Sequence, residues 1–180
     1  MAGKARADVQ GALRSNRHFS RARFAPISFR VHQTMTAALH PYLRKIIDGE
    51  QAPPPIGTTL GTTIVSLDVE AGRIECEYQG VPAFANPAGQ IQGGMLAAML
   101  DDVTALLSIG SLGEGQHCAT LNLNVSFLRP ARPGLITGVA TLVRRGLRVV
   151  NAEGELWQDG KLLATATVVN MVAVEQARSV

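Results

Sequence analysis

The sequence predicts an α+β domain in which an antiparallel β-sheet curls around a single buried helix. Three observations carry that expectation. After Gly57 the hydrophobic period is two, as half-buried strands require. It gives way once, over residues 93–109, to a segment apolar almost all round, which reads as a buried helix. The resulting order is strand, strand, helix and four strands, which packs most simply as a sheet wrapped over the helix.

Taken in chain order, residues 1–27 show no sustained periodicity and read as a basic tail. Over residues 28–48, Val31, Met35, Ala38 and Ile46 keep helical spacing, with a break expected near His40 because Pro41 follows. Gly49 is the expected stop. The run Ala52-Pro53-Pro54-Pro55 reads as a stiff, extended linker, so residues 28–56 form a helical extension and the domain proper spans 57–174. There, Thr62, Ile64, Ser66 and Asp68 alternate with Thr63, Val65, Leu67 and Val69, a strand with one apolar face. Ala71-Gly72 turns the chain into a second strand at 73–78, and a Pro/Gly/Asn-rich connection at 80–90 leads to the helix. Strands follow at 119–128, 135–143 and 147–157, and Asp159-Gly160 is a hairpin turn into a last strand at 161–174. Residues 175–180 are a short C-terminal tail.

Composition narrows the class. The chain has 180 residues, 46% apolar and only 4% aromatic, so its core is built from Ala, Val, Leu and Ile. Cys76 and Cys118 form no CxxC or Cys/His cluster, which argues against a disulfide framework or a zinc site and suits a reducing, cytoplasmic setting. The most apolar stretch carries Asp101 and Asp102 in its middle, where a bilayer penalises them, so no membrane span is expected. Seven basic side chains in residues 1–30 face the single acid Asp8, while the rest of the chain is net acidic. With no aromatic platform or nucleic-acid motif beside it, this arm reads as a solvated tail, not a nucleic-acid site.

The segment from Asn86 to Asp101 carries the chemistry. Gln92, Gly93 and Gly94 sit where a loop runs into the buried helix, at unpaired backbone N–H groups and the positive end of the helix dipole. Such a place can hold the oxyanion of an acyl-transfer intermediate; glycines there also permit tight packing against the sheet. A carboxylate amid an apolar helix, as at Asp101, is costly unless paired, hydrated or used. Asp101 and Asp102 differ by about 100° around the axis, so at most one faces the core. Gly93 and Asp101 are about 12 Å apart along the helix, too far to act on one carbon within one chain. If they cooperate, the amide comes from one subunit and the carboxylate from another, with Ala97 and Ala98 at the crossing of two antiparallel helices.

This segment resembles the signature of the hot-dog thioesterases of the phenylacetate-degradation (PaaI-like) type: Asn, six residues on His-Gly-Gly, then an acid eight residues after the first Gly. Asn86, Gly93, Gly94 and Asp101 match that spacing, and Asn124 to Ala131 resembles the family's strand running into a Pro-containing turn. The resemblance covers about residues 57–174. It implies a hot-dog fold and hydrolysis of an acyl-CoA to free acid and coenzyme A by a homodimer or tetramer, with no cofactor beyond the coenzyme A of the substrate and no metal. By position, Gly93 N–H polarises the thioester carbonyl, Asp101 attacks it or activates water, Asn86 orients substrate or water, and Thr120 positions the water. Simple alternation puts Thr120 opposite Leu121, Leu123, Val125 and Phe127, so that last role requires its face to border the cleft. Gln92 stands where the family carries His; it can hold hydrogen bonds but cannot shuttle a proton. Gly94 borders the substrate, and Arg129 and Arg132, with Arg144, Arg145 and Arg148, are candidates for the phosphates of coenzyme A. The alternative is a non-catalytic acyl-CoA-binding or regulatory module on the same fold.

Overall fold

The computed structural model describes residues 39–174; the expectations for residues 1–38 and 175–180 fall outside them. The first described helix, α1 (Pro41–Ile47), begins at the proline expected to interrupt a longer one. Pro41 occupies the first turn, where a missing N–H costs nothing, and His40 Nδ1 accepts the Tyr42 N–H at 3.3 Å. The other ring nitrogen, Nε2, meets the Gln116 carbonyl at 3.1 Å and ties α1 to the sheet. A second helix, α2 (Pro55–Leu60), stands where the sequence suggests the end of a linker and the onset of β-structure; Gly61, at φ +63°, closes it.

Strands β1 (Thr63–Asp68) and β2 (Arg73–Gly80) form a hairpin, and a 3₁₀ turn at Pro82–Phe84 leads to helix α3 (Gly93–Gly110). Four strands follow: β3 (Gln116–Phe127), β4 (Gly134–Arg145), β5 (Val149–Gln158) and β6 (Lys161–Val174). All pair antiparallel in one six-stranded sheet of order β1-β2-β4-β5-β6-β3, with β1 and β3 at its edges. The β5–β6 turn runs through Asp159 at φ +51° and Gly160 at φ +70°, the left-handed pair that a tight hairpin needs.

Helix α3 lies across the inner face of this sheet. Its Leu96, Met99, Leu100, Val103 and Leu107 meet Ile74, Tyr78, Ile136, Leu156, Ala164 and Val168 in one continuous core. Each such fully buried large side chain contributes roughly 1.5–3 kcal/mol. Gly154 sets the approach of the helix, since a Cβ there would meet Thr104 at 3.0 Å, while Gly138 makes room within the sheet for the Tyr78 ring, which a Cβ there would meet at 2.7 Å. By length and composition α3 could cross a membrane, but here it is the central core helix.

The sheet carries four register shifts, two of them within the β4–β5 and β5–β6 pairs, and the other two bear on the site. The β1–β2 register shifts between Ile64 and Ser66, so Ile64 and Leu67 are the buried pair and Val65 is not, a correction to the simple period-two reading. The β3–β6 register shifts between Thr120 and Asn122, leaving Leu121 as the extra residue.

Candidate active site

The second bulge settles which way Thr120 points. Across it, Leu121 and Asn122 share the outer side, so Thr120 falls on the same face as Leu123, Val125 and Phe127. Alternation alone places it opposite them, and the structure corrects that reading. Leu123 and Val125 pack on the core, the Phe127 ring lies against Gly93, and Thr120 Oγ1 donates to Asp101 Oδ1 at 2.8 Å. Asp101 is only partly covered, on the open side of α3 that also carries Gly94, Ala97, Ala98 and Ala105. Cys118, two residues before Thr120, shares this face; burial, with the Asp101 charge adding to it, pushes its thiol up to about 11.

Asp102 turns the other way. Its Oδ2 accepts from the Tyr78 hydroxyl and from Thr62 Oγ1, each at 3.0 Å. Burial raises this carboxyl above the usual carboxylate range, against the two hydrogen bonds, which pull it down. It lines a narrow recess against Leu43, Ile46, Pro53 and Pro54, away from the open face. The sequence reading did not single out this cluster, since its members lie 24 and 40 residues apart.

At the start of α3, Gln92 is the N-cap residue and its side chain makes no capping bond. Its N–H donates to the Phe84 carbonyl and its own carbonyl accepts from Met95 and Leu96, which leaves Gly93 and Gly94 N–H without acceptors among the described residues. A Cβ at Gly93 would meet the Phe127 ring at 3.3 Å, whereas one at Gly94 would meet nothing within 4 Å. Gly93 is thus confined by packing, and Gly94 opens on free space.

Asn86 holds the loop before the helix: its Oδ1 accepts from Ala88 N–H at 2.9 Å and from Gln90 N–H at 3.2 Å. Arg129 and Arg132 lie apart from Asp101. Arg129 Nη1 donates to the Leu162 carbonyl, Arg132 is bracketed by Gln158, and both line a groove of about 270 Å³ with Lys161 and Asp159. Arg144, Arg145 and Arg148 line a separate groove of about 660 Å³ beside Leu112. Among the described residues, no three His, Cys, Asp or Glu side chains converge as a metal site would need.

A curled antiparallel sheet around one long helix, with free N–H groups at the helix start and a carboxylate two turns on, defines a hot-dog thioester hydrolase. Comparison with known proteins agrees. The thioesterase superfamily profile matches residues 88–165. The crystal structure of a phenylacetic acid degradation-related protein from Ralstonia eutropha is 55% identical, with a TM-score of 0.71 over 72% of this chain and 98% of that one. The medium/long-chain acyl-CoA thioesterase YigI of Escherichia coli is 26% identical over 66% of this chain and 85% of its own. A thioesterase family protein from Silicibacter pomeroyi is 26% identical, with a TM-score of 0.65 over 74% of this chain and 98% of that structure. The chain belongs to the thioesterase superfamily.

Proposed function

We propose that this thioesterase hydrolyses an acyl-CoA to the free acid and coenzyme A, as a cytoplasmic homodimer or dimer of dimers with no added cofactor or metal. The observation that carries the reading is the Asp101–Thr120 pair on the open face of α3, two turns from the free N–H groups of Gly93 and Gly94. Separation along the helix makes one subunit's pair and another subunit's glycines the natural partners. Two α3 helices antiparallel about a two-fold axis form two equal sites, with Ala97 and Ala98 permitting their approach.

In such a site Gly93 N–H faces the thioester oxygen and stabilises the oxyanion as it forms. Asp101 supplies the carboxylate, either taking a proton from the attacking water or attacking the carbonyl carbon itself. The C–S bond then breaks. On the general-base route the thiolate takes the proton that Asp101 removed from water, and the acid is free. On the nucleophilic route an acyl–Asp101 anhydride forms, which water hydrolyses to release the acid, restore the carboxylate and supply the thiolate's proton. Thr120, hydrogen-bonded to one carboxylate oxygen, orients the other. Gln92 and Asn86 hold the loop that carries the oxyanion donors, and the open space at Gly94 admits the substrate. Arg129 and Arg132 receive the phosphates of coenzyme A, and the acyl chain occupies an apolar cleft between subunits.

Thiol release from short, medium, long and aromatic acyl-CoAs tests this. Turnover of at least one class is the expected result. Saturable binding of acyl-CoA without turnover of any would instead establish the binding-module reading, to which Gln92 in place of His lends support.

A further inference from the structure

We propose that Asn170 is a positioning residue of this site, acting on Asp101 through one bridging water and the Thr120 hydroxyl. The inference rests on Asp101 being the working carboxylate. Thr120 and Asn170 are ladder partners on β3 and β6, so their side chains leave the sheet on the same face, about 5 Å apart at Cβ. Asn170 lies where α3 covers that face and is fully buried, as is Val150, its partner on β5, whereas Thr120 stands at the exposed rim of the same face.

The orientation of the Asn170 amide follows from its neighbours. Ser108 gives its single hydroxyl proton to the Thr104 carbonyl at 2.8 Å, so towards Asn170 it can only accept. Asn170 Nδ2 therefore donates to Ser108 Oγ, also at 2.8 Å. Its Oδ1 points elsewhere, and among the described residues no donor reaches it. A buried amide oxygen without a donor is costly, and sites of this kind characteristically hold a water.

Thr120 supplies the other half of such a water's coordination. Its proton is committed to Asp101 Oδ1, which leaves its lone pairs open to a donor. A single water giving one proton to Asn170 Oδ1 and one to Thr120 Oγ1 satisfies both. Asn170 then has no need of the Thr120 hydroxyl proton, which stays directed at Asp101 Oδ1. The carboxylate is fixed in rotation, and Oδ2 is the oxygen presented to the substrate.

Two measurements test this on the full-length protein. A high-resolution crystal structure of the wild type is expected to show a water within about 3.2 Å of both Asn170 Oδ1 and Thr120 Oγ1. Density showing Oδ1 bonded to a protein group, or packed dry, overturns the proposal. This measurement needs neither a variant nor activity, so it stands even if Asn170→Leu fails to fold or no acyl-CoA is turned over. The second is a cycle of Asn170→Leu and Thr120→Val, read as kcat and KM. Asn170→Leu is expected to lower kcat about tenfold with KM changed less than about twofold, and to add nothing in the Thr120→Val background. Multiplying effects in the double variant, or an unchanged kcat in folded Asn170→Leu, overturn it.

Discussion

Side by side in the sequence, Asp101 and Asp102 project about 100° apart on α3 and meet different surroundings. Asp101 has one hydroxyl partner and an open side, whereas Asp102 has two hydroxyl partners in a recess. Burial raises the Asp102 carboxyl in the folded state, which therefore holds the proton more tightly than the unfolded chain does. Its contribution to stability is fully present below the usual carboxylate range and is lost as pH rises through the raised folded value. Asp102→Asn, which keeps an acceptor for Tyr78 and Thr62 without the charge, is expected to raise Tm at pH 7 and to match wild type in acid. A variant less stable at pH 7 would show that the carboxylate gains more from its hydrogen bonds than it loses by desolvation. Gly94 offers a cleaner probe of the helix start than Gly93, because its Cβ position is empty. Gly94→Ala is expected to fold normally, with an unchanged Tm, and to lose about tenfold or more in kcat/KM by crowding the substrate. Unimpaired turnover would show that substrate does not approach there. The Asp101–Asp102 pair stood out in the sequence because carboxylates are costly in an otherwise apolar helix, and their angular offset showed that the two face different ways. The partners of Asp102 did not, since only folding brings Thr62 and Tyr78 to it.

Among the elements, the strands and α3 were legible because hydrophobic period and turn chemistry are local properties. The bulges were not: an extra residue at Leu121 is fixed by pairing with β6, and it alone turns Thr120 towards Asp101. Helix α2 escaped for a related reason. Its Pro-Ile-Gly-Thr-Thr-Leu run has poor intrinsic helix propensity and is held by its N-terminal proline and the burial of Leu60. Strand β3 is where the proposed assembly is open to test alongside α3. It is a twelve-residue edge strand that pairs on one side only among the described residues, and Leu121, 59% exposed, sits at its bulge. Leu121→Glu should leave each subunit folded while two opposed charges block edge-to-edge association. Light scattering is expected to find a monomer where the wild type is a dimer or larger, with activity lost alongside. An active monomer would contradict the need for a second subunit.

At the scale of the whole molecule, the fold places its free helix N–H groups and the Asp101 carboxylate at two stations along one helix, and the proposed site exists only between subunits. That predicts rescue by mixing. Asp101→Asn and a Gly93→Val variant, each inactive alone, are expected to regain about a quarter of wild-type activity when unfolded together and reassembled. Half of the dimers formed are then mixed, and each mixed dimer holds one intact site. Absence of rescue in mixed dimers would mean that each site is built within one chain. The role of Asp101 underlies all of this, and it is tested most directly by coenzyme A thiol release in wild type and Asp101→Asn, with oligomeric state checked in both. The account expects turnover by the wild type and a loss of at least about 100-fold in a still-assembled, folded variant. Equal turnover by the two proteins would contradict it.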